Sequence, residues 1–196
     1  MAAWLLVLGW LPMLVRLPRP ETRLARAPGG SMTGQRPSPA STLDRALWGA
    51  TWILGAALTA CAVFDVRRTA PLLRLAGVAL FFTGMALWSW ARAVQGEQFA
   101  QMIRAPRALV TRGPYRVCRH PLYASTALGC AGQTLAAGSA RTLLLWLGLV
   151  AVLALRSVRE EQLLRHAFVP EWDDYARHAA GFLRPRVRSS SKQHGN

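Results

Sequence analysis

Acidic residues are scarce in this 196-residue chain: nine Asp and Glu stand against 24 Lys and Arg, a formal net charge of +15. Charge of either sign is confined to 17% of the residues, while 52% are hydrophobic. Cysteine is nearly absent as well. Cys61, Cys118 and Cys130 make neither an even disulfide framework nor a close-spaced metal motif, and two of them lie inside apolar runs, where a thiol is an ordinary small buried hydrophobe. The first 15 residues lack the basic start and the cleavage site of a secretory signal. Missing too is any basic run with interleaved aromatics, or any fold motif of a nucleic-acid reader, so the positive excess does not point to nucleic acid.

What the chain does have is long uncharged apolar runs, several of them near the roughly 20 residues needed to cross about 30 Å of hydrocarbon. Ala46 to Phe64 and Leu75 to Ala91 are two, each bounded by charged residues. Pro121 to Ala140 and Thr142 to Leu155 are two more, broken around Gly138-Ser139-Ala140-Arg141. The pair predicts a helical hairpin with its tip near Gly138 and a second arm that continues as a polar helix to about Phe168. The fold class expected is an all-α integral membrane helical bundle of about four transmembrane helices, five if the N-terminal run also crosses. A C-terminal hairpin and cytoplasmic cofactor-binding segments complete it.

Three parts follow. Residues 1–42 are a weakly apolar N-terminus and a linker whose Pro18, Pro20, Pro28, Pro37 and Pro39 predict disorder. Residues 43–186 form the membrane domain, with a core at 92–186, and residues 187–196 form a disordered tail. Met32 offers an alternative start, so residues 1–31 are expected to be dispensable. All but four of the basic residues (Arg67, Arg68, Arg74 and Arg141) fall at 16–45, 92–120 and 156–196, which assigns those segments to the cytoplasmic side. His120 and Glu160 then emerge on one face. The membrane is the endoplasmic reticulum in a eukaryote and the plasma membrane in a bacterium.

Three clusters could carry chemistry. Gly113-Pro114-Tyr115 leads to Arg119-His120-Pro121-Leu122-Tyr123, where proline marks a loop-to-helix entry whose free N–H groups suit an anionic ligand group. Arg156-Ser157-Val158-Arg159-Glu160-Glu161 ends the hairpin's second arm, and Arg156 with Glu160, like Glu161 with Arg165, is spaced i, i+4 for an ordinary helical ion pair. Phe168-Val169-Pro170-Glu171-Trp172-Asp173-Asp174-Tyr175 has aromatics spaced for an amphipathic surface segment. Each alone has a plain structural explanation: a helix start with interfacial anchors, a solvated helix, interfacial packing.

In their order, from Leu109-Val110-Thr111-Arg112-Gly113-Pro114-Tyr115 through His120 to Tyr123, then a hairpin, then Glu160-Glu161, Leu164, Phe168, Trp172 and Tyr175, the clusters resemble the core of the isoprenylcysteine carboxyl methyltransferases. The pattern is similar also to their wider relatives, including membrane phospholipid methyltransferases, and covers roughly residues 92–186. The resemblance implies an S-adenosylmethionine pocket at Arg107, Ala108, Leu109, Val110, Tyr115, His120, Pro121, Leu122, Tyr123 and Glu160. It implies a catalytic role for Arg156, toward the methyl acceptor. A carboxylate such as Glu160 suits the cofactor's ammonium, and an arginine suits an acceptor carboxylate. Such an acceptor is already ionised at neutral pH, so no general base is required.

The implied partners are a lipophilic or prenylated carboxylate substrate and membrane lipid, with no nucleic acid and no metal. Three positions depart from the family: Ser125, Val169 and Ala179-Ala180 stand where glycine, glycine and Val-Pro are usual. They bear on the acceptor. Methylation of a phospholipid amine or a small thiol is the first alternative, and it needs a base near the methyl. A sterol-reductase-like protein shares the Arg-His-Pro-x-Tyr string, but the short chain and the Glu160-Glu161 helix disfavour it. A membrane protein that keeps the fold without activity is the third.

Overall fold

The computed structural model describes Trp10 and residues 41–66, 69–96 and 109–182. The N-terminal linker, Met32, Arg107, Ala108 and the tail beyond 182 lie outside the described residues. In chain order the helices are α1 (Thr42–Asp65), α2 (Pro71–Gln95), α3 (Pro121–Ala137), α4 (Ala140–Ala167) and α5 (Glu171–His178), with a 3-10 turn at Gly113–Arg116 before α3. No strand occurs among the described residues, and a single bridge joins Cys118 to Ala180.

α1, α2 and α4 are long and apolar enough to cross a membrane. The fourth expected span, α3, has 17 residues. At about 1.5 Å per residue it rises about 25 Å, somewhat less than the hydrocarbon thickness. It is the innermost helix, with Gly129, Cys130, Gly132, Gln133, Ala136 and Ala137 all buried. The hairpin turns at Gly138, whose φ of 60° is in the left-handed region. Ser139 caps α4 by accepting from the Thr142 N–H, and the Thr69 hydroxyl donates to the Ala137 carbonyl at 2.8 Å. Nearby, Arg141 meets the buried Asp65 at 2.7 Å and locks the end of α1 to the start of α4.

Backbone contact between α2 and α3 is the closest in the bundle. A Cβ on Gly84 would lie 2.5 Å from the Gly129 nitrogen, and one on Gly77 or Gly132 would collide with the backbone of Ala136 or Phe81. Small residues let helices approach this closely where water exclusion supplies no drive between them. α1, α3 and α4 meet through Leu58, Cys130, Leu149 and Leu153, all fully buried. Within that contact the Thr59 hydroxyl donates to the amide oxygen of Gln133 at 3.2 Å.

These contacts make one expectation simple to check. Gly84→Val should destabilise the protein toward the upper end of the about 1–3 kcal/mol typical of overpacked interiors. Gly49→Ala, where an added Cβ meets nothing within 4 Å, should be close to neutral. Thermal unfolding of both variants in detergent separates the two.

α5 differs from expectation. Its aromatics do not lie on the surface: Trp172 and Tyr175 are 3% and 8% exposed and pack with Leu164 and Ala179. The cause is a specific tether, since the Tyr175 hydroxyl donates to the Tyr115 carbonyl at 2.7 Å. The helix is amphipathic as expected, but its apolar face turns inward.

Candidate active site

The site is built on a short stretch of backbone pinned from several directions. Gly113 has a φ of 58° and would bring a Cβ within 2.9 Å of the Val94 side chain, so glycine satisfies both backbone and space there. Pro114 opens the 3-10 turn, and Tyr115 is buried with its hydroxyl donating to Gln95 Oε1 at 3.2 Å. Burial pushes the Tyr115 phenol well above its ordinary pKa, so it stays a neutral donor. Paired hydrogen bonds, Arg119 N–H to the Ala180 carbonyl at 2.8 Å and Ala180 N–H to the Val117 carbonyl at 2.9 Å, fasten the stretch to the segment after α5. Burial likewise raises the Cys118 thiol, which leaves it protonated and poorly nucleophilic.

His120 stands at the N-cap of α3 with Pro121 in the first turn, as the His-Pro dipeptide predicts. It is 4% exposed. Tyr123, one turn on, stacks on its ring at 5.6 Å with the planes 5° apart, and the Arg156 guanidinium lies over the Tyr123 ring at 5.4 Å. Arg156 also donates to the Thr51 hydroxyl at 3.1 Å. The Glu160 carboxylate lies 3.4 Å from His120 Nδ1, and the Glu161 carboxylate lies 3.0 Å from Nε2. Burial alone would pull the imidazole pKa down, but the hydrogen bonds and charges of Glu160 and Glu161 outweigh it and bring it up to about 9.

Of the pairs drawn from helical spacing, Arg156 still bears on Glu160 through its charge, while Glu161 and Arg165 take longer-range partners. Glu160 and Glu161 reach across to His120, Glu161 also meets Arg119 at 3.1 Å, and Arg165 turns to Asp173 at 3.3 Å. Burial explains the change, because a buried imidazole flanked by carboxylates gains more than an exposed i, i+4 pair worth a few tenths of a kcal/mol.

Tyr115, His120, Pro121, Leu122, Tyr123, Arg156 and Glu160 all line one cleft. Of the other sequence candidates, Leu109 packs against the cluster of Leu164, Trp172 and Tyr175, and neither it nor Val110 lines the cleft. Arg107 and Ala108 lie outside the described residues. The departures Ser125, Val169 and Ala180 do not line it either: Ser125 donates to the Leu122 carbonyl, Val169 is exposed and Ala180 holds the backbone bridge.

Sequence reasoning missed the opposite wall. Trp48, Thr51 and Trp52 of α1 and Trp88 and Gln95 of α2 face the motif residues across the cleft. Trp48 and Trp52 are i, i+4 and touch edge to face at 6.3 Å, a pairing visible in the sequence but outside the stretch covered by the resemblance. Phe182, against the edge of Tyr123 at 6.4 Å, was missed as well.

The donor and acceptor set fits a ligand such as S-adenosylmethionine. Glu160 offers a carboxylate, the tryptophans and tyrosines offer faces for a cation or an adenine, and the buried Arg119 Nε has no hydrogen-bond partner among the described residues. An apolar helical bundle with a cleft lined by both charged and aromatic side chains defines a membrane protein with a polar site among its helices.

Comparison with known proteins gives that class a family. Residues 72–171, half of the chain, match the phospholipid methyltransferase family model, and the chain belongs to that family, a relative of the isoprenylcysteine carboxyl methyltransferases. It is 34% identical over 143 residues to the nickel-cobalt-cadmium resistance protein NccN of Alcaligenes xylosoxydans xylosoxydans, which covers 71% of this chain and 55% of NccN. It is 34% identical over 143 residues to the cobalt-zinc-cadmium resistance protein CzcN of Cupriavidus metallidurans, covering 70% of this chain and 60% of CzcN. The chain thus spans little more than half the length of these relatives. Family membership implies S-adenosylmethionine as methyl donor in general terms.

Proposed function

We propose that the protein is a membrane methyltransferase that moves a methyl group from S-adenosylmethionine to a carboxylate of a lipophilic substrate. The observation that carries the choice of acceptor is the placement of the His120 ring between the carboxylates of Glu160 and Glu161. Both of its ring nitrogens face carboxylates, which accept hydrogen bonds and cannot donate them when ionised, so the ring is held as an imidazolium. An imidazolium is no base. The cleft therefore suits an acceptor that arrives already ionised.

When bound, S-adenosylmethionine supplies an electrophilic methyl on a sulfonium. Glu160 would hold the cofactor's ammonium, and Tyr115 with the His120–Tyr123 turn would seat the rest. Arg156, fixed by Thr51 and Tyr123, would hold the acceptor carboxylate in line with that methyl. The transfer would join a carboxylate oxygen to the methyl carbon as the carbon–sulfur bond breaks, giving an ester and a neutral thioether, so no residue of this chain would need to move a proton. The tryptophans of α1 and α2 would exclude water and face the lipid part of the acceptor.

A second reading, methylation of a phospholipid amine, is favoured by the description of the matched family. It requires a carboxylate released from His120 to take the amine proton. Proteoliposomes given radiolabelled S-adenosylmethionine with either a farnesylcysteine derivative or phosphatidylethanolamine discriminate between them. Label released as methanol by mild alkali is expected; alkali-stable label in the phospholipid amine would establish the second reading.

A further inference from the structure

Glu161 has no place in the cleft and is nonetheless bonded to it. It does not line the cleft that Glu160 lines; it borders a separate cleft between α4 and α5, alongside Arg119 and Trp172. From there its Oε1 receives His120 Nε2 at 3.0 Å and Arg119 Nη1 at 3.1 Å. Arg119, 8% exposed in its side chain, is itself set over the Trp172 ring at 6.0 Å. A chain of contacts thus runs from α5 through Arg119 and Glu161 to the back of the His120 ring.

We propose that Glu161 is a positioning residue that decides acceptor chemistry: from behind the cleft wall it holds His120 as a cation, so that the cleft attracts an ionised acceptor and offers no base to one that must lose a proton. The inference rests on the carboxylate reading above and adds to it the residue that enforces it.

Glu160 alone, 3.4 Å from Nδ1, would leave Nε2 free to lose its proton and the ring free to act as a base. Glu161, the closer contact, removes that option, and Arg119 keeps the carboxylate in place. Among the described residues the other titratable or charged groups around the ring are Tyr115 in the turn, Cys118 and Arg119 before it, Tyr123 stacked on it, Arg156 beyond Tyr123 and Arg92 of α2, whose charge reaches Tyr115. From α1 and α2 the facing groups of the cleft, Trp48, Thr51, Trp52, Trp88 and Gln95, carry no charge. Among the described residues Glu160 and Glu161 are thus the carboxylates that bear on His120, and removing the charge of either lowers the pH at which the ring gives up its proton.

The test uses the full chain in lipid nanodiscs, with ring-nitrogen NMR of its four histidines and His120→Asn to assign the signal. In the wild type the His120 midpoint should lie near 9. Glu161→Gln, which keeps shape and removes charge, should bring it to about 7 to 8, and Glu161→Asp should restore much of the difference. With a farnesylcysteine carboxylate as acceptor, the wild-type KM should be flat from pH 6 to about 8.5, whereas in Glu161→Gln it should rise about 10-fold across that range with kcat changed much less. A purely structural role would lower activity equally at every pH. A wild-type midpoint below 7, or a Glu161→Gln midpoint equal to wild type, overturns the proposal, and the first needs no variant to fold. If no ester forms with wild type at any pH, the carboxylate reading fails, while the NMR midpoints still decide whether Glu161 holds the His120 charge.

Discussion

Glu160→Gln is expected to weaken binding of S-adenosylhomocysteine by about 10-fold to 100-fold, equivalent to roughly 1.5 to 3 kcal/mol for a charge-assisted hydrogen bond. The substitution keeps the side chain's shape and removes the charge proposed to meet the ligand's ammonium. The same carboxylate lies 3.4 Å from His120 Nδ1, so some loss of thermal stability should accompany the loss of affinity. Titration calorimetry separates the two effects. Lower stability with unchanged affinity would mean that Glu160 serves His120 alone.

Arg156→Ala should produce the complementary result. The affinity for S-adenosylhomocysteine should stay within about 2-fold, while methyl transfer should fall by about 100-fold or more, the cost of a misaligned acceptor. Arg156 is 6% exposed, donates to Thr51 and lies over Tyr123, so its guanidinium is held in one place. Arg156→Lys keeps the charge but neither the planar fork nor the stack, and should recover only part of the rate. Single-turnover assays with preformed cofactor complex measure the transfer step directly. An Arg156→Ala variant that loses ligand affinity as strongly as Glu160→Gln would show that the two residues, one helical turn apart, do not divide cofactor from acceptor.

Much of this arrangement was legible in the sequence. The apolar runs foretold α1, α2 and the α3–α4 hairpin, because a span needs length and lack of charge and both are local properties. Gly138 foretold the hairpin tip for the same local reason. His120 and Tyr123 on one helix start, and Arg156 and Glu160 on one helix end, are likewise matters of spacing along one element.

What was not legible depends on which elements meet. Helical spacing paired Glu161 with Arg165, yet the fold gives Glu161 to His120 and Arg119, which lie some forty residues earlier in the chain. An amphipathic pattern sets out which face of α5 is apolar but not what covers it, so Tyr175 reaching the Tyr115 carbonyl was unforeseen. The tryptophans of α1 and the near contact of Gly84 with Gly129 are tertiary facts of the same kind. The resemblance made the three departures from the family pattern bear on the acceptor surface, and Ser125, Val169 and Ala180 lie away from the cleft lining.

The most direct measurement is photochemical crosslinking of methyl-labelled S-adenosylmethionine to the wild-type protein in lipid, followed by peptide mapping. Saturable labelling that unlabelled S-adenosylhomocysteine competes away, and that maps to the segment from Tyr115 to Tyr123 or from Arg156 to Glu160, is the expected result. Labelling that is not competed, or competed labelling that maps to neither segment, would contradict the assignment of this cleft as the cofactor site of a membrane methyltransferase.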